Sequence, residues 1–214
     1  MTEELGLRER KKQETRRRIA DIATGLFLMR GFDNVTVADV ARSADVSVNT
    51  VFNYFRTKED LFFDRQAEVT EQAARAFRDR APGESAVALF RRRFLEGLER
   101  NSNDTGFNEG ADMWVRTVMA SPALVARQRE IGEQAEETLA RALAEDTGAD
   151  PDDLTPRIAA AMIMAASTRL VEEITRRRVA GETLGEMRQS VRAAAERTFG
   201  LLESGLGDYA ARPA

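Results

Sequence analysis

Among its 214 residues the chain has neither cysteine nor histidine. Without thiols there are no disulfides, thiolate metal sites, iron–sulfur clusters or cysteine nucleophiles. Without imidazole the usual general base near neutral pH, the commonest metal ligand and every Ser-His-Asp triad are gone. An enzyme would have to work with carboxylates, lysines or tyrosines, and the sequence has no glycine-rich phosphate loop and no spaced carboxylate constellation. No catalytic residue, metal site or cofactor is therefore expected. Lysine is scarce too, at positions 11, 12 and 58 only, because arginine carries nearly all the positive charge. Long apolar runs are missing as well. The longest, Ile158–Ala166, has nine residues, well short of the roughly 20 that cross a bilayer. The opening MTEELGLRERKKQ turns from acidic to basic without the apolar core of a secretory signal, so no membrane association and a cytoplasmic location are expected.

What is present describes a globular protein, with 43% hydrophobic and 32% charged residues. The net charge of −4 is unevenly spread: residues 1–58 carry +3 and residues 59–214 carry −7. A basic end on an acidic whole disfavours wholesale coating of nucleic acid but allows one face to meet phosphates. An imbalance this small, taken alone, is equally consistent with a solvated surface.

Periodicity is helical nearly everywhere, and the expected fold class is all-α. Ile19, Ile22, Ala23, Leu26 and Phe27 recur at helical spacing and Gly31 follows as a stop, giving a first helix over about 8–30. Thr36, with Asp39 three residues on, reads as a capping box opening a short second helix through Val37, Val40, Ala41 and Ala44. Ser47 is a good N-cap for a third helix ending near Phe55. Thr57 with Asp60 repeats the capping spacing and predicts one long fourth helix to about Arg80. Further helices are predicted over 84–100, 111–119, 122–145, 156–179 and 182–202, with a polar loop over 101–110 and Ser121-Pro122 as an N-cap followed by proline. The pattern divides the chain into three short helices over 1–56 and a larger helical region over 57–214.

The third helix carries the sharpest signal. If Val46, Val51 and Phe55 face a small core, helical geometry turns Val48, Asn49, Phe52 and Asn53 outward. Water gives no reason to expose Val48 and Phe52, but a major groove does: apolar groups meet thymine methyls and asparagine pairs with adenine N6 and N7. The plainer alternative for Phe52 is partial burial against the fourth helix.

The ordered set Ile19, Leu26-Phe27, Gly31-Phe32, Thr36, Val40-Ala41, Ala44-Asp45-Val46-Ser47, Thr50-Val51-Phe52-Asn53-Tyr54-Phe55 and Lys58-Glu59-Asp60-Leu61 resembles the tetracycline-repressor (TetR) family of bacterial transcriptional regulators. The pattern covers about the first 62 residues. The resemblance implies a three-helix helix-turn-helix DNA-binding domain over 1–56 and a larger helical ligand-binding and dimerisation domain over 57–214, in a homodimeric repressor that places its third helix in the major groove of operator DNA and is released by a small-molecule effector. Carried over position by position, it makes Ser47, Val48, Asn49, Thr50, Phe52 and Asn53 candidates for operator contact. It makes Thr36, Tyr54 and Lys58 candidates for phosphate, and helix N-termini favour anions in any case. Three residues depart from the family's pattern: Asp45 and Asn49 replace common glycines, and Phe52 replaces a frequent tyrosine. Aspartate tolerates a left-handed backbone better than most residues, so the turn at Asp45 is expected to survive. At Phe52 any DNA contact must be apolar.

Residues 8–18 hold seven Lys/Arg and two Glu. They read either as an arm against the DNA backbone or as a solvated helix face with Glu14-Arg18 as an i,i+4 pair. Arg91-Arg92-Arg93 reads as a solvated face only. One reading head buries little DNA surface, so two are expected, on half-sites about 34–36 Å apart in a palindrome. The last two helices offer the dimer interface through Ile158, Ala159, Met162, Ile163, Ala166, Leu170 and Ile174, and through Val191, Ala194, Ala195, Thr198, Phe199 and Leu202. Phe90, Phe94, Phe107, Met113, Trp114, Met119, Met162 and Met164 are candidates to line an effector pocket, although for any one of them ordinary core is the better reading. Arg169 is a candidate for a ligand carboxylate or for an ion pair across the dimer. A constitutive or architectural DNA binder without ligand sensing is the alternative reading of the whole.

Overall fold

A computed structural model describes residues 6–102, 105–108, 110–206 and 209–210. The acidic opening at residues 1–5, and Asn103, Asp104 and Glu109 of the expected loop, lie outside the described residues. The helices in chain order are α1 (Leu7–Arg30), α2 (Val37–Ser43), α3 (Val48–Tyr54), α4 (Glu59–Phe62), α5 (Gln66–Arg78), α6 (Ala86–Glu99), α7 (Ala111–Met119), α8 (Pro122–Thr147), α9 (Thr155–Val179) and α10 (Leu184–Leu206). Among the described residues there is no strand, and no helix is long and apolar enough to cross a membrane. The chain divides into two compact units, one holding the chain up to Ala67 together with Arg116–Arg129, the other Glu68–Val115 and the chain from Glu130 onward. The first unit thus runs past residue 56 and takes in the turn between α7 and α8.

In the first unit short polar signals set where each helix begins and ends. The α1 helix stops at Gly31, whose φ of 83° favours a residue without Cβ and whose N–H donates to the Phe27 carbonyl at 2.9 Å. Thr36 and Asp39 cap α2 reciprocally: the Asp39 N–H donates to Thr36 Oγ1 at 3.1 Å and the Thr36 N–H to Asp39 Oδ2 at 3.0 Å. Asp45 makes the turn into α3 with a φ of 54°, the left-handed conformation expected of it. The core gathers Ile19, Ala23 and Phe27 of α1, Val40 and Ala41 of α2, Val51 and Phe55 around α3, and Leu61 and Phe62 of α4. Phe27 and Phe32 pack with ring centroids 4.9 Å apart, and side chains of this size contribute about 1.5–3 kcal/mol each when buried.

The single long helix expected after Thr57 is two helices. Its start is as expected, since Thr57 and Asp60 exchange N–H bonds to each other's side chains at 3.1 and 3.2 Å. The α4 helix nevertheless ends after one turn at Phe63, which leaves helical geometry at φ −102° and ψ 47°. The guanidinium of Arg16 donates to the Asp64 carbonyl at 3.2 Å, occupying an acceptor that a continuing helix would use for its own amide one turn later.

In the second unit a larger core joins Phe77 of α5, Val87, Leu89, Phe90, Phe94 and Leu98 of α6, Leu139 and Leu143 of α8, and the inner faces of α9 and α10. Most of the residues expected at a dimer interface belong to this core: Ala159, Ile163, Ala166, Leu170 and Ile174, with Val191, Ala195 and Phe199. Of the expected residues Ile158 and Met162 face outward, and so does Leu201, which is not among them and is 76% exposed. Ser121, which belongs to the first unit, donates its hydroxyl to Asp33 of that same unit at 3.0 Å. Phe107 in the expected loop is fully buried and belongs to the second unit's core. The arginine run is not merely solvated, since Arg91 pairs with Glu203 at 3.1 Å and Arg92 with Glu84 at 2.7 Å.

Arg80, just beyond α5, went unnoticed in the sequence and is 2% exposed. It donates to the carbonyls of Phe77, Glu84 and Ala210 at 2.9, 3.1 and 3.0 Å and pairs with Asp146 at 2.6 Å. Its guanidinium also lies 3.9 Å from the Phe77 ring centre. A buried charge is tolerated where its donors are satisfied in this way, and here it ties α5, the segment leading to α6, α8 and the C-terminal residues together.

Candidate nucleic-acid interface

Ser47 fixes the start of α3, its Oγ accepting the Thr50 N–H at 3.0 Å and lying 2.8 Å from Thr50 Oγ1. That cap sets the phase of the helix. Val51 and Phe55 turn inward, Val46 and Thr50 are half-buried, and Val48, Asn49, Phe52 and Asn53 face outward. Val48 is 39% and Phe52 50% exposed, so Phe52 is not packed away against the following helix. Two stripes result, Val48 with Phe52 and Asn49 with Asn53, each at the i,i+4 spacing that places side chains one above the other. The helix VNTVFNY holds no charged residue.

The other candidates are held differently. Thr36 is exposed at the start of α2 beside Asp39, and hydrogen bonds from Thr36, with Arg42 adding charge, hold the Asp39 carboxyl below the usual carboxylate range. Tyr54 is half-buried, and its carbonyl accepts from Arg16. Lys58 is also half-buried. Its ammonium donates to the Phe32 carbonyl at 2.6 Å and sits 4.1 Å from the Phe32 ring centre, so in this conformation it pins α4 to the end of α1.

The basic stretch divides along α1. Lys11, Lys12, Arg17 and Arg18 are exposed and can meet a phosphate backbone. Arg16 points inward, with its guanidinium 4.4 Å from the Phe55 ring centre and its donors on the Tyr54 and Asp64 carbonyls. It holds the C-terminal end of α3 against α1. Arg16 lies three residues before Ile19 on the face that continues through Ala23, which is the signal in the sequence that marks it as internal.

The effector candidates divide between core and surface, with Phe107 and Met164 in or against the same core as Phe90 and Phe94, and Met119 exposed. Phe90 and Phe94 are buried in the second unit's core, Phe94 packing on Phe199 with ring centroids 6.1 Å apart. Trp114 is half-buried, Met113 and Met162 are exposed, and Arg169 is exposed and paired with Glu172 one turn along its own helix. Two open depressions lie on this unit. One of about 380 Å³ is lined by Arg91, Arg92, Leu95 and Arg192, and another of about 460 Å³ by Thr70, Glu130, Glu133 and Arg141. Neither has the apolar candidates as its walls. Among the described residues no acidic cluster could hold a metal ion.

The family model described as bacterial regulatory proteins, tetR family, matches residues 19–64, and that of the MftR C-terminal domain matches residues 84–206. The HTH-type transcriptional regulator TcmR of Streptomyces glaucescens is 31% identical over 166 residues, spanning 75% of this chain and 73% of TcmR. Of solved structures, GusR of Salmonella enterica aligns with a TM-score of 0.57 at 19% identity, over 91% of this chain and 96% of GusR. SmeT, solved as a complex with triclosan, aligns with a TM-score of 0.57 at 16% identity, over 89% of this chain and 90% of SmeT.

Proposed function

The chain belongs to the TetR family of bacterial regulatory proteins, DNA-binding regulators of transcription, and from that premise we propose that it is a homodimeric repressor released from a palindromic operator by a small molecule. The observation that carries the operator half of this reading is the outward face of α3, where Val48, Asn49, Phe52 and Asn53 stand exposed on a helix whose opposite side is core. Exposed apolar and amide groups side by side suit base edges in a major groove better than they suit water. The exposed basic residues of α1 supply attraction that weakens with salt.

Two copies give two heads, and the outward Ile158, Met162 and Leu201 are apolar surface that a second copy would cover through its own α9 and α10. The effector half rests on the kind of chemistry available. SmeT in complex with triclosan is a precedent for a small molecule held by a protein of this fold. In this chain the apolar candidates Phe90 and Phe94 are already packed, so an effector site there opens only in a less populated conformation that the ligand stabilises. Ligand and operator then weaken each other equally by linkage.

The decisive experiment incubates the purified protein with sheared genomic DNA at moderate salt, recovers the bound fragments and sequences them. A shared palindrome with half-sites about 34–36 Å apart is expected; fragments with no common motif would sink the reading. The filled core around Phe94 favours a second reading, a regulator that binds without an effector. A compound library that never shifts the melting temperature or releases operator would establish that one.

A further inference from the structure

The α3 helix presents no arginine, lysine, aspartate or glutamate to solvent because it contains none. Guanine is most often read by a bidentate arginine or lysine on O6 and N7, and cytosine by a carboxylate accepting from N4. Both readers are missing from this helix. The side chains it does expose have one target in common: asparagine pairs bidentately with adenine N6 and N7, and apolar groups pack on the thymine methyl. Adenine and thymine are the two halves of one base pair, and the Asn49/Asn53 and Val48/Phe52 stripes lie side by side. Within each stripe the residues are four apart, about 6 Å along the helix, close to two base-pair steps of about 3.4 Å. Arg42 and Arg56, the nearest arginines in sequence, lie on α2 and beyond the end of α3, and Arg16, which reaches the Tyr54 carbonyl, is on the core side of the helix.

We infer that the operator half-site holds A·T pairs at the positions α3 faces, two of them within three consecutive steps, with the asparagines on adenine and Val48 and Phe52 on the methyl of thymine. This rests on the reading that α3 enters the major groove. It assigns Phe52 a part in specificity, as a reader of methyl groups.

Selection of bound duplexes from random DNA by the full-length protein tests it, followed by atom replacement in the selected site. Expected is a palindrome with A·T pairs at the inner half-site positions. Deoxyuridine in place of thymine there, which removes only the methyl, weakens binding of the unmodified protein by about fourfold per methyl, while Phe52→Ala binds more weakly and loses the fourfold step at the methyl Phe52 faces, keeping the one at Val48. Replacing adenine by 7-deazaadenine removes N7 and weakens binding by roughly five- to 150-fold per bidentate contact, and Asn53→Ala or Asn49→Ala is blind to that change at the one adenine its asparagine reads. G·C pairs at the inner positions, or an unmodified protein indifferent to both replacements, overturns the inference and leaves operator binding standing. Selection of no motif at all overturns operator binding itself. The measurements on the unmodified protein hold even if a variant folds poorly.

Discussion

In the first unit the side chains proposed to act stand on the outside of one seven-residue helix whose inside is core. In the second unit the side chains proposed to act are split, with Phe90 and Phe94 buried and Met113, Met162 and Arg169 at the surface. A helix that recognises DNA carries its function in its phase, and phase follows from local signals such as Ser47 capping α3 and Asp45 turning into it. A cavity that recognises a ligand depends on which distant segments meet. The second unit accordingly relies on arginines that join parts of the chain far apart in sequence, Arg80 above all.

Four experiments would sharpen or break this contrast. The largest effect is expected at Arg80. Arg80→Leu takes the guanidinium from the Glu84 and Ala210 carbonyls and from the Asp146 carboxylate, while the Phe77 carbonyl keeps the main-chain N–H of residue 80, costing about 2–4 kcal/mol and lowering the melting temperature by several degrees. Arg80→Lys, without the planar fork, should rescue little. An unchanged melting temperature would show that the buried guanidinium is replaceable.

Next is Arg16, whose bonds to Tyr54 and Asp64 are charge-assisted and worth roughly 1.5–3 kcal/mol together with the order they impose on α3. Arg16→Gln should weaken specific operator binding while leaving the slope of log K against log salt unchanged. Arg17→Gln, from an exposed position, should lower the slope by about 0.9 if Arg17 meets a phosphate. If the two variants behave alike, Arg16 is an ordinary backbone contact and the inward geometry is irrelevant to binding.

A smaller effect belongs to Asp45. Asp45→Val forces a β-branched side chain to a φ of 54° and should cost about 1–2 kcal/mol, whereas Asp45→Gly should be close to neutral in chemical denaturation. The smallest concerns acid. The Thr36 hydrogen bonds depress the Asp39 carboxyl, so its contribution is present above the ordinary carboxylate range and is lost as pH falls through the depressed value. Thr36→Val should flatten that part of the stability–pH curve, and an unchanged acid limb would mean the cap adds nothing there.

Much of the first unit was legible because its determinants are near neighbours: Thr36 with Asp39, Ser47 with Thr50 and Gly31 after Phe27. The break between α4 and α5 was not, because the Asp64 carbonyl is taken by Arg16, a residue 48 positions away that reads locally as one more charge in a basic run. The same applies to Phe107, which sits among Asn, Asp and Gly yet is buried, and to Arg91 and Arg92, whose partners Glu203 and Glu84 lie beyond any local pattern. Helical periodicity placed α9 and α10 but left open which of their apolar residues serve the protomer and which a partner, since both faces are apolar at helical spacing. Exposure separates Ile158 and Met162 from Ala159 and Ile163.

The neutrality of α3 has a consequence for how such a regulator diverges. In the proposed complex the charged grip on DNA would come from α1 and other segments, while the choice of bases would come from uncharged groups on the solvent-facing side of α3. Substitutions at Asn49 or Asn53 can therefore redirect the protein to a new operator without changing its response to ionic strength or disturbing its core. After a gene duplication, two copies could part company at a few exposed positions and still share one effector.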